Sequence, residues 1–166
     1  MHCLFEKKLK LKMSIFFNYD IFVSYSWEND EEVCDLCEKM KRKGFKLLFE
    51  KIETPLNNLS IKKKKAIDES LLFMCCVSNR YCKSAGALKE FNYAIETEKQ
   101  IIYVLFDKLN EKKESVKNIR KIAYNFALQR YYKNLDLNGK LFCNSNEFDL
   151  LVKLINTFKK VLINDR

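Results

Sequence analysis

Glu90 is the side chain whose setting points most directly to chemistry. On a helix spanning residues 84–98, Gly86, Ala87 and Ala94 share its side and Leu88 points away. The carboxylate is thus expected to project, exposed, from small side chains that leave room for a ligand. A carboxylate so placed either offers charge and hydrogen-bond acceptance to a developing cation or is a solvated glutamate on an exposed helix face, the commoner role of a helical Glu. Two polar stretches accompany it, Ser24-Tyr25-Ser26-Trp27 and Ser78 to Ser84. Tyr25 and Trp27 carry flat rings that either stack on a ring-bearing ligand or pack over a sheet edge. Ser78 and Ser84 either hydrogen-bond a ligand or cap the following helix, the commoner role. The run Lys62-Lys63-Lys64-Lys65 reads as a solvated helix face, with attraction to an anionic surface as the alternative.

Composition narrows the classes. The chain has 166 residues, 48% hydrophobic and 32% charged, which suits one globular domain over 19–163 behind a basic leader, 1–18. Met13 is a second possible start. With 3 Gly and 1 Pro, neither a P-loop nor a GxGxxG fingerprint is present. The 7 cysteines have no framework-like spacing, and Cys34-x-x-Cys37 lacks a second pair, with 1 His (His2) in the chain. No metal site is expected. No signal peptide or membrane-spanning run interrupts the pattern, and reduced thiols point to the cytoplasm. The net charge of +9 is not interleaved with aromatics in a strip, so nucleic-acid binding is a minor option.

The elements that must position these residues follow from periodicity. Ile21-Phe22-Val23 is an unbroken apolar run, hence a strand covered on both faces. Asn29 or Asp30 then opens a helix whose stripe is Val33, Leu36, Cys37 and Met40, ended by Gly44 in a left-handed conformation. Phe45–Phe49 is a second strand, Glu50–Ser60 a loop with Pro55, and Ile61–Ser70 a short helix. Leu71–Val77 is the most continuous apolar run and so a central strand. A helix follows over Ser84–Glu98 with Leu88, Phe91 and Ile95 as its buried face, then a strand at Ile101–Phe106. A helix around Val116, Ile119 and Ala123 and an edge strand at Phe126–Tyr132 are weaker readings. The box Asn144-x-x-Glu147 is expected to cap a last helix striped by Phe148, Leu151, Val152, Ile155, Phe158 and Leu162.

Strands alternating with helices in this way predict an α/β, flavodoxin-like three-layer fold with a five-stranded parallel sheet in the order 2-1-3-4-5. The switch point then lies between strands one and three, where Ser24–Trp27 and Ser78–Ser84 should meet. A flavin site is disfavoured because the first loop has no glycine. A phospho-acceptor site is disfavoured because strand three ends in Val77-Ser78 rather than in an aspartate.

A resemblance adds to this reading. Asp20-Ile21-Phe22-Val23-Ser24-Tyr25-Ser26, Gly44-Phe45, Ile67-x-x-Ser70, Ser78-x-x-Tyr81-x-x-Ser84 and Glu90 stand in the order and spacing of the TIR (Toll/interleukin-1 receptor) domain family. The chain resembles that family over about residues 19–106. The resemblance implies homotypic TIR–TIR assembly, homo-oligomers, and cleavage of NAD⁺ as substrate to nicotinamide and ADP-ribose or a cyclic form, with no other cofactor. It implies Glu90 as the catalytic carboxylate and a nucleotide flanked by Ser24, Tyr25, Ser26 and Trp27, with Glu50, Ser78, Ser84 and Gly86 completing the ligand-facing set. Glu50–Ser60 corresponds to the family's BB loop, although the usual Pro-Gly pair is Pro55-Leu56 here. Gly86 and Ala87 replace the tryptophan and cysteine common before the glutamate. Nicotinamide leaves as a neutral molecule, so one carboxylate stabilising an oxocarbenium-like ribose suffices for that reaction. A non-enzymatic TIR adaptor acting by oligomerisation is the rival, and a basic module binding RNA or anionic lipid a third.

Overall fold

The computed structural model describes residues 17–49, 59–106, 142–144 and 148–164. Along the chain lie β1 (Tyr19–Ser24), α1 (Asp30–Arg42), β2 (Leu47–Leu48), α2 (Ile61–Asp68), β3 (Ser70–Val77), α3 (Ala85–Glu96), β4 (Gln100–Leu105), β5 (Phe142–Asn144) and α4 (Phe148–Asn164). The strands form one sheet in the order β2-β1-β3-β4-β5. All pairs are parallel, with Ile21 beside Leu47 and Leu72, and Cys75 beside Tyr103. This is the expected fold.

The inner residues of β1, β3 and β4 (21–23, 71–77 and 101–105) are apolar because both faces of the sheet are covered. One core sets Ile21, Val23, Leu72, Met74, Cys76, Ile102 and Val104 against Val33, Leu36, Cys37 and Met40 of α1 and Leu151, Ile155 and Phe158 of α4. The other sets Phe22, Phe73, Cys75, Val77, Ile101 and Tyr103 against Ala66 and Ile67 of α2 and Ala87, Phe91 and Ala94 of α3. Strand alternation decides which core each residue enters. Phe22 and Phe73, neighbours in register, stack at 5.5 Å between ring centroids. Gly44 has φ +88°, the left-handed stop expected after α1. Asp20 fastens the base of β1, accepting from the Lys46 amide at 2.8 Å and pairing with Lys159 at 2.7 Å.

Several sequence readings change. The second strand shrinks from Phe45–Phe49 to two residues, Leu47–Leu48, since it lies at the sheet edge with a single partner. The strand beside β4 is Phe142–Asn144, with Asn144 paired to Leu105, and the last helix is described from Phe148; Glu147 of the expected capping box lies outside the described residues. Residues 107–141, holding both the helix read around Val116 and the strand read at 126–132, lie outside the described residues. So do 1–16 of the leader and Glu50 with the loop to residue 58.

Candidate functional site

The two polar stretches do meet at the C-terminal ends of β1 and β3. Ser78 Oγ donates to Asn29 Oδ1 at 2.7 Å and accepts from the Tyr81 amide at 2.9 Å. Arg80 reaches across from the second stretch, donating to the Glu28 carbonyl at 2.7 Å and pairing with the Glu28 carboxylate at 3.3 Å. The segment after β1 is therefore clamped to the segment after β3.

Glu90 reaches this place from α3, but not as an exposed side chain. It is 5% exposed, on the face of α3 that also buries Ala87, Phe91 and Ala94. The expected buried face of Leu88, Phe91 and Ile95 is rotated, and Leu88 and Ile95 are only half-buried. The small residues around Glu90 do not leave an open patch. They let α2 approach, and α2 delivers Lys63.

Both carboxylate oxygens are engaged. Ser24 Oγ, at the last residue of β1, donates to Glu90 Oε2 at 2.6 Å. Lys63 Nζ forms an ion pair with Glu90 Oε1, both side chains being over nine-tenths buried. With the Ser24 proton directed to Glu90, Tyr81 donates its hydroxyl proton to Ser24 Oγ, 2.9 Å away. Lys63, Glu90, Ser24 and Tyr81 thus form one buried polar chain drawn from α2, α3, β1 and the turn after β3. Burial pushes the Glu90 carboxyl above the ordinary carboxylate range; the Lys63 charge and the hydrogen bonds from Lys63 and Ser24 oppose that shift without cancelling it. Burial also drives the Tyr81 hydroxyl and the adjoining Cys75 thiol well up, so neither is an anionic nucleophile near neutrality.

The remaining expected residues divide. Tyr25 follows Ser24 and so turns to the other face, where its hydroxyl donates to Asp30 at 3.0 Å and its ring packs on the α1 core. It does not meet Glu90, because successive residues at the strand's end point to opposite faces. Ser26 is buried and its carbonyl accepts from the Asn29 amide at 2.8 Å. Trp27 is 71% exposed. Ser84 caps α3 by accepting from the Ala87 amide at 3.3 Å, and Gly86 lies half-buried in the first turn. Ser78, as seen, ties the two loops together. Lys62, Lys64 and Lys65 are the solvated face the sequence suggested, and Lys63 is not. Its signal was the spacing Lys63, Ala66, Ile67, an i, i+3, i+4 stripe containing a charge.

The described residues contain no group of His, Cys, Asp and Glu that could hold a metal ion, and no helix long and apolar enough to cross a membrane.

The architecture is a doubly wound parallel α/β domain with a buried carboxylate where β1 and β3 end. The sequence pattern of the TIR domain matches residues 21–136, and the chain belongs to that family. Among solved structures it is similar to the TIR domain of the Toll-related receptor TRR-2 from Hydra magnipapillata, at 20% identity and TM-score 0.54, over 87% of this chain and 98% of that one. It is also similar to the TIR domains of the activated Roq1 resistosome, a complex directly recognising the pathogen effector XopQ. That likeness has 20% identity and TM-score 0.51, over 87% of this chain and 84% of that one. At such identities these likenesses concern the fold. No curated protein matches the sequence.

Proposed function

We propose that this protein is a cytoplasmic TIR signalling domain that self-associates through TIR–TIR contacts and, once assembled, hydrolyses NAD⁺ through Glu90. The observation that carries the reading is a carboxylate, 5% exposed, hydrogen-bonded to the last residue of β1. A buried ion pair contributes little net stability compared with apolar packing, so its presence at the ligand-binding end of the sheet favours a chemical role. In the reaction the bond between the ribose C1′ and the nicotinamide nitrogen breaks, and its electron pair leaves with neutral nicotinamide. Glu90 stabilises the cationic ribose, water attacks C1′ and loses a proton, and ADP-ribose results; attack by an adenine nitrogen instead gives a cyclic product. Exposed Trp27 is then the ring available for stacking, while Ser24 holds the carboxylate.

The second reading is a non-enzymatic scaffold that signals by oligomerisation. One observation favours it: both oxygens of Glu90 are engaged and covered in this conformation. The discriminating experiment is NAD⁺ consumption by concentrated or surface-crowded protein beside Glu90→Gln, which keeps hydrogen-bonding capacity at the site. Loss of NAD⁺ in the wild type and not in the variant supports hydrolysis. No loss, with self-association shown by light scattering, leaves the scaffold.

A further inference from the structure

We propose that Lys63 is a lock on Glu90, closing the carboxylate against substrate until the first turn of α2 lifts away. For its functional meaning this rests on the reading of Glu90 as the reactive carboxylate. The argument begins with charge. A carboxylate stabilises a cationic ribose only if its own charge is not already answered by a nearer cation. Here Lys63 answers it at contact distance, with both side chains withdrawn from water. With Oε1 on the ammonium, Oε2 on Ser24 and both charged side chains covered, a ribose has no approach to the carboxylate, so the observed state is a closed one.

The attachment of α2 shows how it opens. The polar tethers described for α2 gather at its C-terminal end. Ser70 Oγ donates to the Ala66 carbonyl at 2.9 Å, Lys99 Nζ to the Asp68 carbonyl at 2.9 Å, and the Tyr93 hydroxyl to the Asp68 carboxylate at 3.0 Å. The first turn is held otherwise. Ile61 is 86% exposed and Lys62 is exposed. Among the described residues, what fastens this turn to the body is the Lys63–Glu90 pair, half-buried Leu59, and Lys64 lying 5.4 Å above the Tyr93 ring. Pivoting about the Asp68 end would withdraw Lys63 and leave Glu90 held by Ser24 at the C-terminal end of β1. A partner that packs against exposed Ile61 and the flanking lysines would drive this movement, so that activity would follow assembly.

The test uses the whole chain and two readouts. Carboxyl labelling with a water-soluble carbodiimide and glycinamide, read by mass spectrometry, reports access to Glu90, with exposed Glu31 and Glu96 as internal standards. In Lys63→Met, folded by near-ultraviolet circular dichroism, Glu90 labelling should rise by roughly tenfold, the size of an ordinary coupling between sites. NAD⁺ consumption should then appear at dilutions where the wild type is silent, and Lys63→Arg should restore both protections. Unchanged labelling in folded Lys63→Met overturns the lock whatever the turnover. Raised labelling with no NAD⁺ loss in any variant upholds the lock and refutes Glu90 as the reactive group. Should Lys63→Met not fold, the wild type labelled dilute and then crowded on vesicles through a terminal tag decides the matter. A rise at Glu90 on crowding is expected, and equal labelling overturns the proposal.

Discussion

Removing the Glu90 carboxylate tests the burial directly. On an exposed helix face Glu90→Ala would shift stability by no more than about 0.5 kcal/mol. In this structure the same change leaves the Lys63 ammonium, 8% exposed in its side chain, without a counter-charge, and takes from Ser24 the acceptor for its proton. Breaking a buried pair from one side costs about 3–5 kcal/mol, toward the lower end where the lysine stem lets its head move to water. For a chain of this size that corresponds to roughly 6–20 °C in melting temperature. Urea unfolding followed by circular dichroism, with an unchanged slope, measures it. The double variant Lys63→Met, Glu90→Leu removes both charges and fills the space with apolar atoms, so it should lose much less than the two single changes together. A Glu90→Ala protein within about 0.5 kcal/mol of wild type, or strict additivity in the double variant, would refute the buried pair. The result also decides how activity is read, since a Glu90→Ala enzyme that has lost turnover has lost stability too.

Other outcomes follow from the same geometry. The Glu90 carboxyl already titrates above its ordinary range, so its own contribution to stability is greatest in acid and is lost as pH rises through the folded value. Lys63→Met removes the charge that opposes this shift, and carbon-13 titration should find Glu90 displaced further upward; no displacement would contradict the pairing. Gly44→Ala should cost about 1 kcal/mol or more, because φ +88° is strained for an L residue even though nothing lies within 4 Å of the added Cβ. Equal urea midpoints for the two proteins would contradict that conformation. Burial raises the Cys37 thiol to about 12 and the Cys75 and Cys76 thiols upward as well, while unfolded thiols ionise near their ordinary 9.0. The folded state then binds more protons above that pH, so stability should fall as pH climbs past 9. Lys99, lowered to about 8 by burial, acts in the opposite sense, and one lysine offsets only part of the effect of three thiols. Denaturation midpoints that do not fall between pH 8 and pH 10 would disprove the thiol assignment.

What the sequence determined by itself was local and periodic. Ile21-Phe22-Val23 and Leu71–Val77 are short, β-branched or aromatic-bearing apolar runs that read as covered strands, and their alternation with amphipathic helices points to a parallel sheet, whose order in the structure is the usual one for a flavodoxin-like fold. Gly44 and Ser84 were legible as a helix stop and a helix cap because each acts within a few residues of itself. Tertiary structure decided the site. On α3 the apolar residues Leu88, Phe91 and Ile95 and the small residues Ala87 and Ala94 define two overlapping faces, and periodicity alone favours the larger side chains. The close approach of α2 selects the small ones, and so turns Glu90 inward. Lys63 shows the same limit from the other side. The spacing Lys63, Ala66, Ile67 hints that one of the four lysines faces inward, but it does not name the partner, which lies 27 residues away and meets Lys63 only through the packing of α2 on α3. A charge's function depends on its neighbours in space, and hydrophobic periodicity records only which face meets water.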